Sequence, residues 1–141
     1  MLKVLFLCTE NACRSQMAEG LVNHYLDGRV QAFSAGIRPT LVNPRAVQVM
    51  AELGINLRGQ RAKSVADLPE KDFDLVITVC DQAREQCPIF SGGAEMLHLG
   101  FPDPARAAGT EEEILAVFRQ VRDDLRARLL PLLEDRLRPR Q

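Results

Sequence analysis

The sequence predicts an α/β fold in which one domain is built on a four-stranded parallel sheet with helices on both faces. The chain has 141 residues, of which 46% are hydrophobic, and this suits one compact core rather than two domains. Apolar runs alternate with segments of helical periodicity, the pattern of parallel strands joined by helices. The runs Leu2–Leu7 and Phe73–Val79 are short and bounded, as strands inside a parallel sheet are. We therefore assign residues 1–135 to a single α/β domain and residues 136–141 to a frayed polar tail.

Strands and helices are expected in alternation along the chain. The predicted strands are Leu2–Leu7, Val30–Ser34, Phe73–Val79 and Glu95–Leu99. Helices are predicted over Ser15–Leu26, from Pro44 to Leu53 and from Glu111 onward, where apolar residues recur at helical spacing. Residues 57–72 are polar and predict a loop with one helical turn near Val65–Leu68.

Capping residues indicate where two of the helices begin. Asn43 followed by Pro44 is typical of an N-cap and the first helical position. Thr110 and Glu113 have the spacing of a capping box ahead of the last helix. Pro131 is expected to kink that helix or to end it one residue earlier, because proline lacks the N–H that a helix interior uses.

Charge and composition exclude several classes of function. The net charge is −1, so nothing indicates a nucleic-acid partner. No run of 18 apolar residues is present and the apolar N-terminus is too short for a signal peptide, so the sequence predicts a cytoplasmic protein with no membrane contact. Four cysteines without a C-x-x-C motif, and only two histidines, do not fit a structural zinc site. No cofactor is predicted, and the chain is expected to be a monomer.

The run C-T-E-N-A-C-R, from Cys8 to Arg14, is the strongest functional motif. It directly follows the first predicted strand and precedes the first predicted helix. Six residues can wrap around a tetrahedral oxyanion with their N–H groups inward, and the Arg14 guanidinium can bind two oxyanion oxygens. The same groups would lower the pKa of Cys8 and create a nucleophilic thiolate. Asn11 and Ser15 are residue types that could brace such a loop. The alternative is a buried structural cysteine.

Asp103 is the candidate general acid. It follows the last predicted strand, and ligands of parallel sheets bind beyond the carboxyl ends of the strands. A carboxylic acid above the anion site could give a proton to a departing oxygen. The alternative is a simple Asp-Pro turn with Pro104.

Cys80 and Cys87 are either incidental cysteines or a redox pair. Cys80 comes at the end of the Phe73–Val79 strand, on the same edge of the sheet as Cys8. If the residues between the pair were helical, the two Cα atoms would be ~10.5 Å apart along the axis, whereas a disulfide needs ~4.4–6.8 Å. A disulfide between Cys80 and Cys87 would therefore require the residues between them to unwind. Cys13 is expected to be structural.

Several motifs together resemble the thioredoxin-coupled arsenate reductases, which share the low-molecular-weight tyrosine phosphatase fold. They are C-T-x-N-x-C-R-S-Q-M-A-E-G at Cys8–Gly20, V-N-P at Val42–Pro44, V-x-T-V-C at Val76–Cys80, C-P at Cys87–Pro88 and G-F-x-D-P at Gly100–Pro104. The first motif is shared with the phosphatases, whereas the Cys80/Cys87 pair is specific to the reductases.

The resemblance implies arsenate as substrate, with phosphate and sulfate as competing anions, and thioredoxin as reductant. It makes Cys8 the nucleophile, Arg14 the oxyanion clamp, Asp103 the general acid, and Cys80 and Cys87 the relay of resolving thiols. The implied oxyanion-binding residues are Cys8, Thr9, Glu10, Asn11, Ala12, Cys13, Arg14 and Ser15.

Two features bear on how closely the chain follows that family. Glu10 stands where the family usually has glycine, and a carboxylate beside an anion site is electrostatically unfavourable. Some family members bind potassium near the first helix, and Asn11, Glu19 and Ser34 fit that pattern. The acidic partner expected in the loop of residues 57–72 has only Asp67 as a candidate.

Two other functions remain open. A low-molecular-weight tyrosine phosphatase would use the same Cys8, Arg14 and Asp103. However, Ala105 and Arg106 stand where such enzymes usually place an aromatic wall for their substrate. A non-enzymatic oxyanion-binding or redox-sensing protein is the other alternative, and Glu10 is its best support.

Overall fold

A four-stranded parallel sheet forms the centre of the computed structural model, which describes residues 1–69, 72–80 and 94–138. Its strands are β1 (Leu2–Cys8), β2 (Val30–Gly36), β3 (Leu75–Thr78) and β4 (Glu95–His98). Their order across the sheet is β2-β1-β3-β4, and every neighbouring pair is parallel. The four strands predicted from the apolar runs are confirmed, with ends that differ by up to two residues.

The register of the sheet brings the ends of all four strands to one edge. Cys8, the last residue of β1, pairs with Gly36, the last residue of β2. Leu7 pairs with Thr78 at the end of β3, and Thr78 in turn pairs with His98 at the end of β4. The residues that follow each strand therefore meet at the edge where ligands of parallel sheets bind.

The α-helices of the described residues are α1 (Arg14–Tyr25), α2 (Pro44–Ala51) and α3 (Glu111–Leu137). The Asn43 side chain caps α2 by accepting a hydrogen bond from Arg45 N at 2.9 Å. Thr110 and Glu113 form the predicted capping box at the start of α3. A 3-10 turn at Val65–Asp67 matches the predicted helical turn in the polar loop. Within the described parts of the chain, none of the helices is both long and apolar enough to cross a membrane.

Of the two outcomes predicted for Pro131, a kink in α3 or an end near Leu130, the second is wrong, because the helix does not end there. The helix continues to Leu137, past the predicted start of a frayed tail at residue 136. Proline has no N–H, so the carbonyl of Ala127, four residues earlier, has no helical hydrogen-bond donor. Both residues lie on the exposed face of the helix, where water can bind that carbonyl. On the opposite face Leu129 and Leu133 are fully buried and hold both sides of the proline to the core.

Both faces of the sheet are covered. Val4, Leu5, Phe6 and Leu7 of β1 are all buried, although successive residues of a strand point to opposite faces. On β2, Ser34 donates a hydrogen bond to Glu19 of α1, whereas the adjacent Phe33 packs its ring edge-to-face against Phe73. The sheet is thus an interior layer, and functional side chains are confined to its edge and the loops there.

Candidate active site

The loop between β1 and α1 has its carbonyl groups turned outward. The carbonyl of Cys8 accepts a hydrogen bond from Ile37 N at 3.2 Å, and that of Thr9 accepts one from Arg38 N at 2.8 Å. The carbonyls of Glu10, Ala12 and Cys13 accept from Thr40, Asn43 and Met17 in the same way. On the inner side, the N–H of Asn11 donates to the Cys8 sulfur. Carbonyls that bond away from the loop, together with an amide directed at its centre, are features of an anion-binding nest.

Asn11 takes the left-handed backbone conformation that shapes this loop, with φ of 53°. Asparagine adopts this region more readily than most residues. Its side chain is buried and donates to Ser15 Oγ at 2.8 Å. Its Oδ1 accepts from Gln16 Nε2 at 2.8 Å and from Lys63 N at 3.1 Å. Hydrogen bonds with Ser15, Gln16 and Lys63 therefore hold Asn11 in this backbone conformation.

Residues of the polar loop before β3 support the site, although the sequence did not indicate this. Gln60 Nε2 donates to Gln16 Oε1 at 2.6 Å, and Gln16 Nε2 donates onward to Asn11. Gln16 also donates to the carbonyl of Arg61 at 2.9 Å. Gln16 is fully buried on α1, and a polar residue at a buried helical position was the one available sign of this network.

Gly36 allows the loop to approach the end of β2. A Cβ at this position would lie 2.8 Å from Asn11 N and 2.9 Å from the backbone atoms of Thr9 and Glu10. Backbone atoms cannot turn away as a flexible side chain can. The absence of a side chain at Gly36 is therefore a condition for the shape of the Cys8 loop.

The thiol of Cys8 lies inside this loop, and its pKa is lowered from 9.0 to about 5. The largest cause is a hydrogen bond with the Cys80 thiol; the Arg14 charge, the Ser15 hydroxyl and the Asn11 N–H add to it. Burial acts in the opposite direction, because it penalises the charged thiolate. Near neutral pH Cys8 is a thiolate, the form that acts as a nucleophile.

Cys80 approaches Cys8 from the neighbouring strand. It lies two residues past Thr78, the end of β3, and its side chain is buried. Thr9 Oγ1 is 3.3 Å from Cys80 Sγ. Cys8, Cys13 and Cys80 are not part of disulfide bonds. Cys87, the predicted second resolving thiol, lies outside the described residues. The segment between Cys80 and Cys87, which was expected to unwind on oxidation if helical, also lies outside them.

Arg14 and Asp103 face each other above the loop. Arg14 Nη1 donates to the Phe101 carbonyl at 3.1 Å, and Nη2 lies 3.6 Å from Asp103 Oδ2. Asp103 Oδ1 caps the turn Pro104–Arg106 by accepting from Ala105 N at 3.0 Å. Asp103 thus forms the predicted Asp-Pro turn and also presents its second oxygen to the site. In the described part of the chain, Arg14 Nε is the buried side-chain nitrogen without a hydrogen-bond partner.

Cys13 is chemically different from Cys8 although it belongs to the same loop. Burial, followed by the negative charges of Asp103 and Cys8, raises the pKa of Cys13 to about 12. Cys13 is therefore a protonated, buried thiol near neutral pH, which agrees with the structural role expected for it.

Glu10 occupies the rim of the site. The φ of Glu10 lies outside the left-handed region. Among the described residues other than glycine, only Asn11 has a φ in that region. The carboxylate is exposed and accepts a hydrogen bond from Thr40 Oγ1 at 3.2 Å. A small cavity is lined by Cys8, Glu10, Ala12, Cys13, Arg14, Asp103 and Ala105. Glutamate thus fits the backbone here, and only its charge bears on anion binding.

The residues expected to hold potassium contact one another and Lys63 instead. Ser34 Oγ donates to Glu19 Oε1 at 2.8 Å, and Lys63 Nζ lies 3.6 Å from the same carboxylate oxygen. Asp67, the candidate acidic partner, accepts instead from Ser64 Oγ at 3.0 Å within its own turn. The donor set therefore does not fit a potassium ion.

Known proteins resemble this chain in both sequence and structure. Residues 3–140 match the family model of low molecular weight phosphotyrosine protein phosphatase. An arsenate reductase from Halalkalibacterium halodurans is 44% identical over 131 residues, which cover 93% of this chain and 94% of that protein. An arsenate reductase solved in the phosphate binding state has a TM-score of 0.82 at 31% identity, covering 96% of this chain and 98% of that one. A thioredoxin-dependent arsenate reductase from Corynebacterium glutamicum has a TM-score of 0.65 at 25% identity, covering 97% and 62% of the two chains.

Proposed function

Since the chain belongs to the low-molecular-weight phosphotyrosine protein phosphatase family and is an arsenate reductase within it, we propose that its Cys8 thiolate attacks arsenate in the loop Cys8–Ser15. Phosphate and sulfate are tetrahedral oxyanions like arsenate, so they compete for the same donors. Thioredoxin is the proposed reductant, by analogy with the thioredoxin-dependent relative.

The unpartnered Arg14 Nε beside the Cys8 thiolate is the observation that carries this proposal. A buried N–H without a partner costs about 1–3 kcal/mol, and an oxyanion oxygen would satisfy it. The guanidinium plane and the inward amides of the loop then bind the anion from two sides. The anion is held directly over the sulfur that attacks it.

The first chemical step joins sulfur to arsenic. The Cys8 thiolate attacks arsenate, an S–As bond forms as the bond from arsenic to one hydroxyl group breaks, and Asp103 gives its proton to that hydroxyl, which leaves as water. Arg14 and the loop amides stabilise the charge on the remaining oxygens. The position of Asp103 Oδ2, 3.6 Å from Arg14 Nη2, supports this role.

The second step transfers electrons to arsenic. Cys80 attacks the Cys8 sulfur, the S–As bond breaks, and its electron pair reduces arsenic(V) to arsenic(III), which leaves as arsenite. The hydrogen bond between Cys80 and Cys8 supports this step, because it brings the two sulfurs together before the reaction. Cys87 then attacks Cys80, which frees Cys8 and leaves a Cys80–Cys87 disulfide for thioredoxin to reduce.

Steady-state arsenite production tests the activity. The enzyme should produce arsenite with thioredoxin, thioredoxin reductase and NADPH, and more slowly with glutathione and glutaredoxin. Cys8→Ser should produce none, since serine lacks the nucleophilicity of a thiolate. Arg14→Lys keeps the charge but loses the planar fork, so it should be severely impaired.

The same preparation separates the reductase from the phosphatase alternative. Hydrolysis of a small aryl phosphate needs Cys8, Arg14 and Asp103 but neither resolving cysteine. If Cys80→Ser and Cys87→Ser both sustain thioredoxin-coupled turnover, the relay is wrong. If the wild type hydrolyses aryl phosphates but makes no arsenite, the phosphatase hypothesis replaces the proposed arsenate reduction.

A further inference from the structure

Lys63 places its ammonium group in a cluster of oxygen atoms behind the Cys8 loop. Lys63 Nζ lies 3.6 Å from Glu19 Oε1, 3.4 Å from Ser34 Oγ and 3.3 Å from the carbonyl oxygen of Arg61. The cluster is largely shielded from water, since the side chains of Lys63 and Glu19 are only 14% and 13% exposed and Ser34 is fully buried. A carboxylate, a hydroxyl and a carbonyl are the kinds of oxygen that also bind hard metal cations.

The geometry points to Lys63 as the resident cation of this cluster and as a positioning residue for the Cys8 loop, so that the enzyme needs no potassium. This inference rests on the proposed function, since it concerns the loop that would hold arsenate. The cluster joins three elements: Glu19 from α1, Ser34 from β2 and Lys63 from the loop before β3. An ammonium group on the chain takes the place that a bound ion would otherwise fill.

The backbone of Lys63 connects this cluster to the site. Its N–H donates to Asn11 Oδ1 at 3.1 Å, and its carbonyl accepts from Gly36 N at 2.8 Å. The side chain of Lys63 therefore anchors the same residue whose backbone holds Asn11 in its left-handed conformation. Asn11 N–H in turn donates to the Cys8 sulfur. Loss of the ammonium would loosen this chain of contacts and weaken the stabilisation of the Cys8 thiolate.

Removing one partner of a partly buried ion pair has a measurable effect on the stability of the protein. Exposed ion pairs contribute little to stability, but an unpaired carboxylate in a shielded position is strongly unfavourable. In Lys63→Ala, the Glu19 carboxylate would face a vacated space next to Ser34. A small external cation could then enter, and the variant should acquire the cation dependence that the wild type lacks.

The test compares wild type with Lys63→Ala in choline, sodium, potassium and methylammonium chloride at equal ionic strength. Two readouts need no arsenate: the melting temperature, and the rate of Cys8 alkylation against pH, with the modified cysteine identified by mass spectrometry. Wild type should be the same in all four salts. Lys63→Ala in choline chloride should melt lower and shift its alkylation midpoint upward by about one pH unit. Potassium or methylammonium should reverse both changes.

Two control variants make the outcome specific. Arg29→Gln removes one positive charge from an exposed residue just before β2, at the far end of that strand from the site, and should behave as wild type in every salt. Glu19→Gln combined with Lys63→Ala has no carboxylate, so no cation should restore it. The inference is overturned if potassium raises the melting temperature of wild type above that in sodium. It is equally overturned if Lys63→Ala keeps the wild-type alkylation profile, or if neither cation reverses its change. Because neither readout involves turnover, a failure of arsenate reduction would be seen separately.

Discussion

At the scale of single residues, Cys80 has two relations to Cys8. It is the proposed attacker of the Cys8 sulfur, and its hydrogen bond is also the largest cause of the lowered Cys8 pKa. The folded-state pKa of about 5 lies below the ordinary 9.0, so the thiolate stabilises the fold fully above pH 9.0. That contribution decreases as the pH falls and is lost below about 5.

Replacing Cys80 tests this relation. Cys80→Ala removes the hydrogen-bond donor, so the pKa of Cys8 should rise and its alkylation near pH 6 should slow by about tenfold or more. Cys80→Ser keeps a hydroxyl donor and should show a smaller rise. The measurement is the pH profile of iodoacetamide alkylation at Cys8. Equal profiles for Cys80→Ala and wild type would show that Cys80 does not stabilise the thiolate.

Glu10 gives a second prediction at this scale. Its exposed carboxylate lines the same cavity as Cys8 and Arg14 and would repel a bound oxyanion. Glu10→Gln removes the charge while keeping the shape, so phosphate should bind more tightly by about two- to fivefold at low salt, since a solvent-exposed charge pair is worth about 1 kcal/mol. Isothermal titration with phosphate measures the change. Thr40→Val, which removes only the partner of the carboxylate, is the matched control, and weaker binding by Glu10→Gln would contradict the repulsion.

At the scale of elements, the close contact between the end of β2 and the Cys8 loop is the most sensitive feature. Gly36→Ala would place a Cβ within 3 Å of the backbone of Thr9, Glu10 and Asn11. The loop would have to move by a few tenths of an ångström or more, and a displacement of this kind can lower turnover by roughly 10²-fold. Turnover and circular dichroism should show a folded but impaired enzyme. Turnover within twofold of wild type would mean that the loop tolerates the shift.

The elements near the site could be predicted from the sequence where the interaction is local. The Cys8–Arg14 loop, the Asn43 cap of α2 and the Thr110 capping box each depend on residues a few positions apart. The contributions of Gln60 and Lys63 could not be predicted, because their partners in the Cys8 loop, on α1 and on β2 are 29 to 52 residues away. The continuation of α3 past Pro131 could not be predicted locally, because it depends on Leu129 and Leu133, which pack into the core on the opposite face of the helix.

At the scale of the whole molecule, a buried arginine joins the helices that lie away from the site. Arg122 of α3 has an almost fully buried side chain, and its Nη1 donates to the carbonyl of Val49 and to Glu52 Oε1, at 2.8 and 2.7 Å. Arg122→Met should lower the free energy of unfolding by roughly 1.5–3 kcal/mol, because hydrogen bonds that involve charge are lost. Urea unfolding measures this. The Cys8 alkylation profile should not change, and a stability equal to wild type would contradict the account of this contact.

The central claim is that Cys8, Cys80 and Cys87 pass oxidation in that order from arsenate toward thioredoxin. Disulfide mapping after one turnover tests it most directly: reduced enzyme is mixed with one equivalent of arsenate without reductant, then alkylated and analysed by mass spectrometry. Wild type should yield one equivalent of arsenite and a Cys80–Cys87 disulfide with Cys8 free, whereas Cys87→Ser should stop at Cys8–Cys80. Cys80→Ser should form neither disulfide and release no arsenite. Arsenite release from Cys87→Ser without a Cys8–Cys80 bond would contradict the relay.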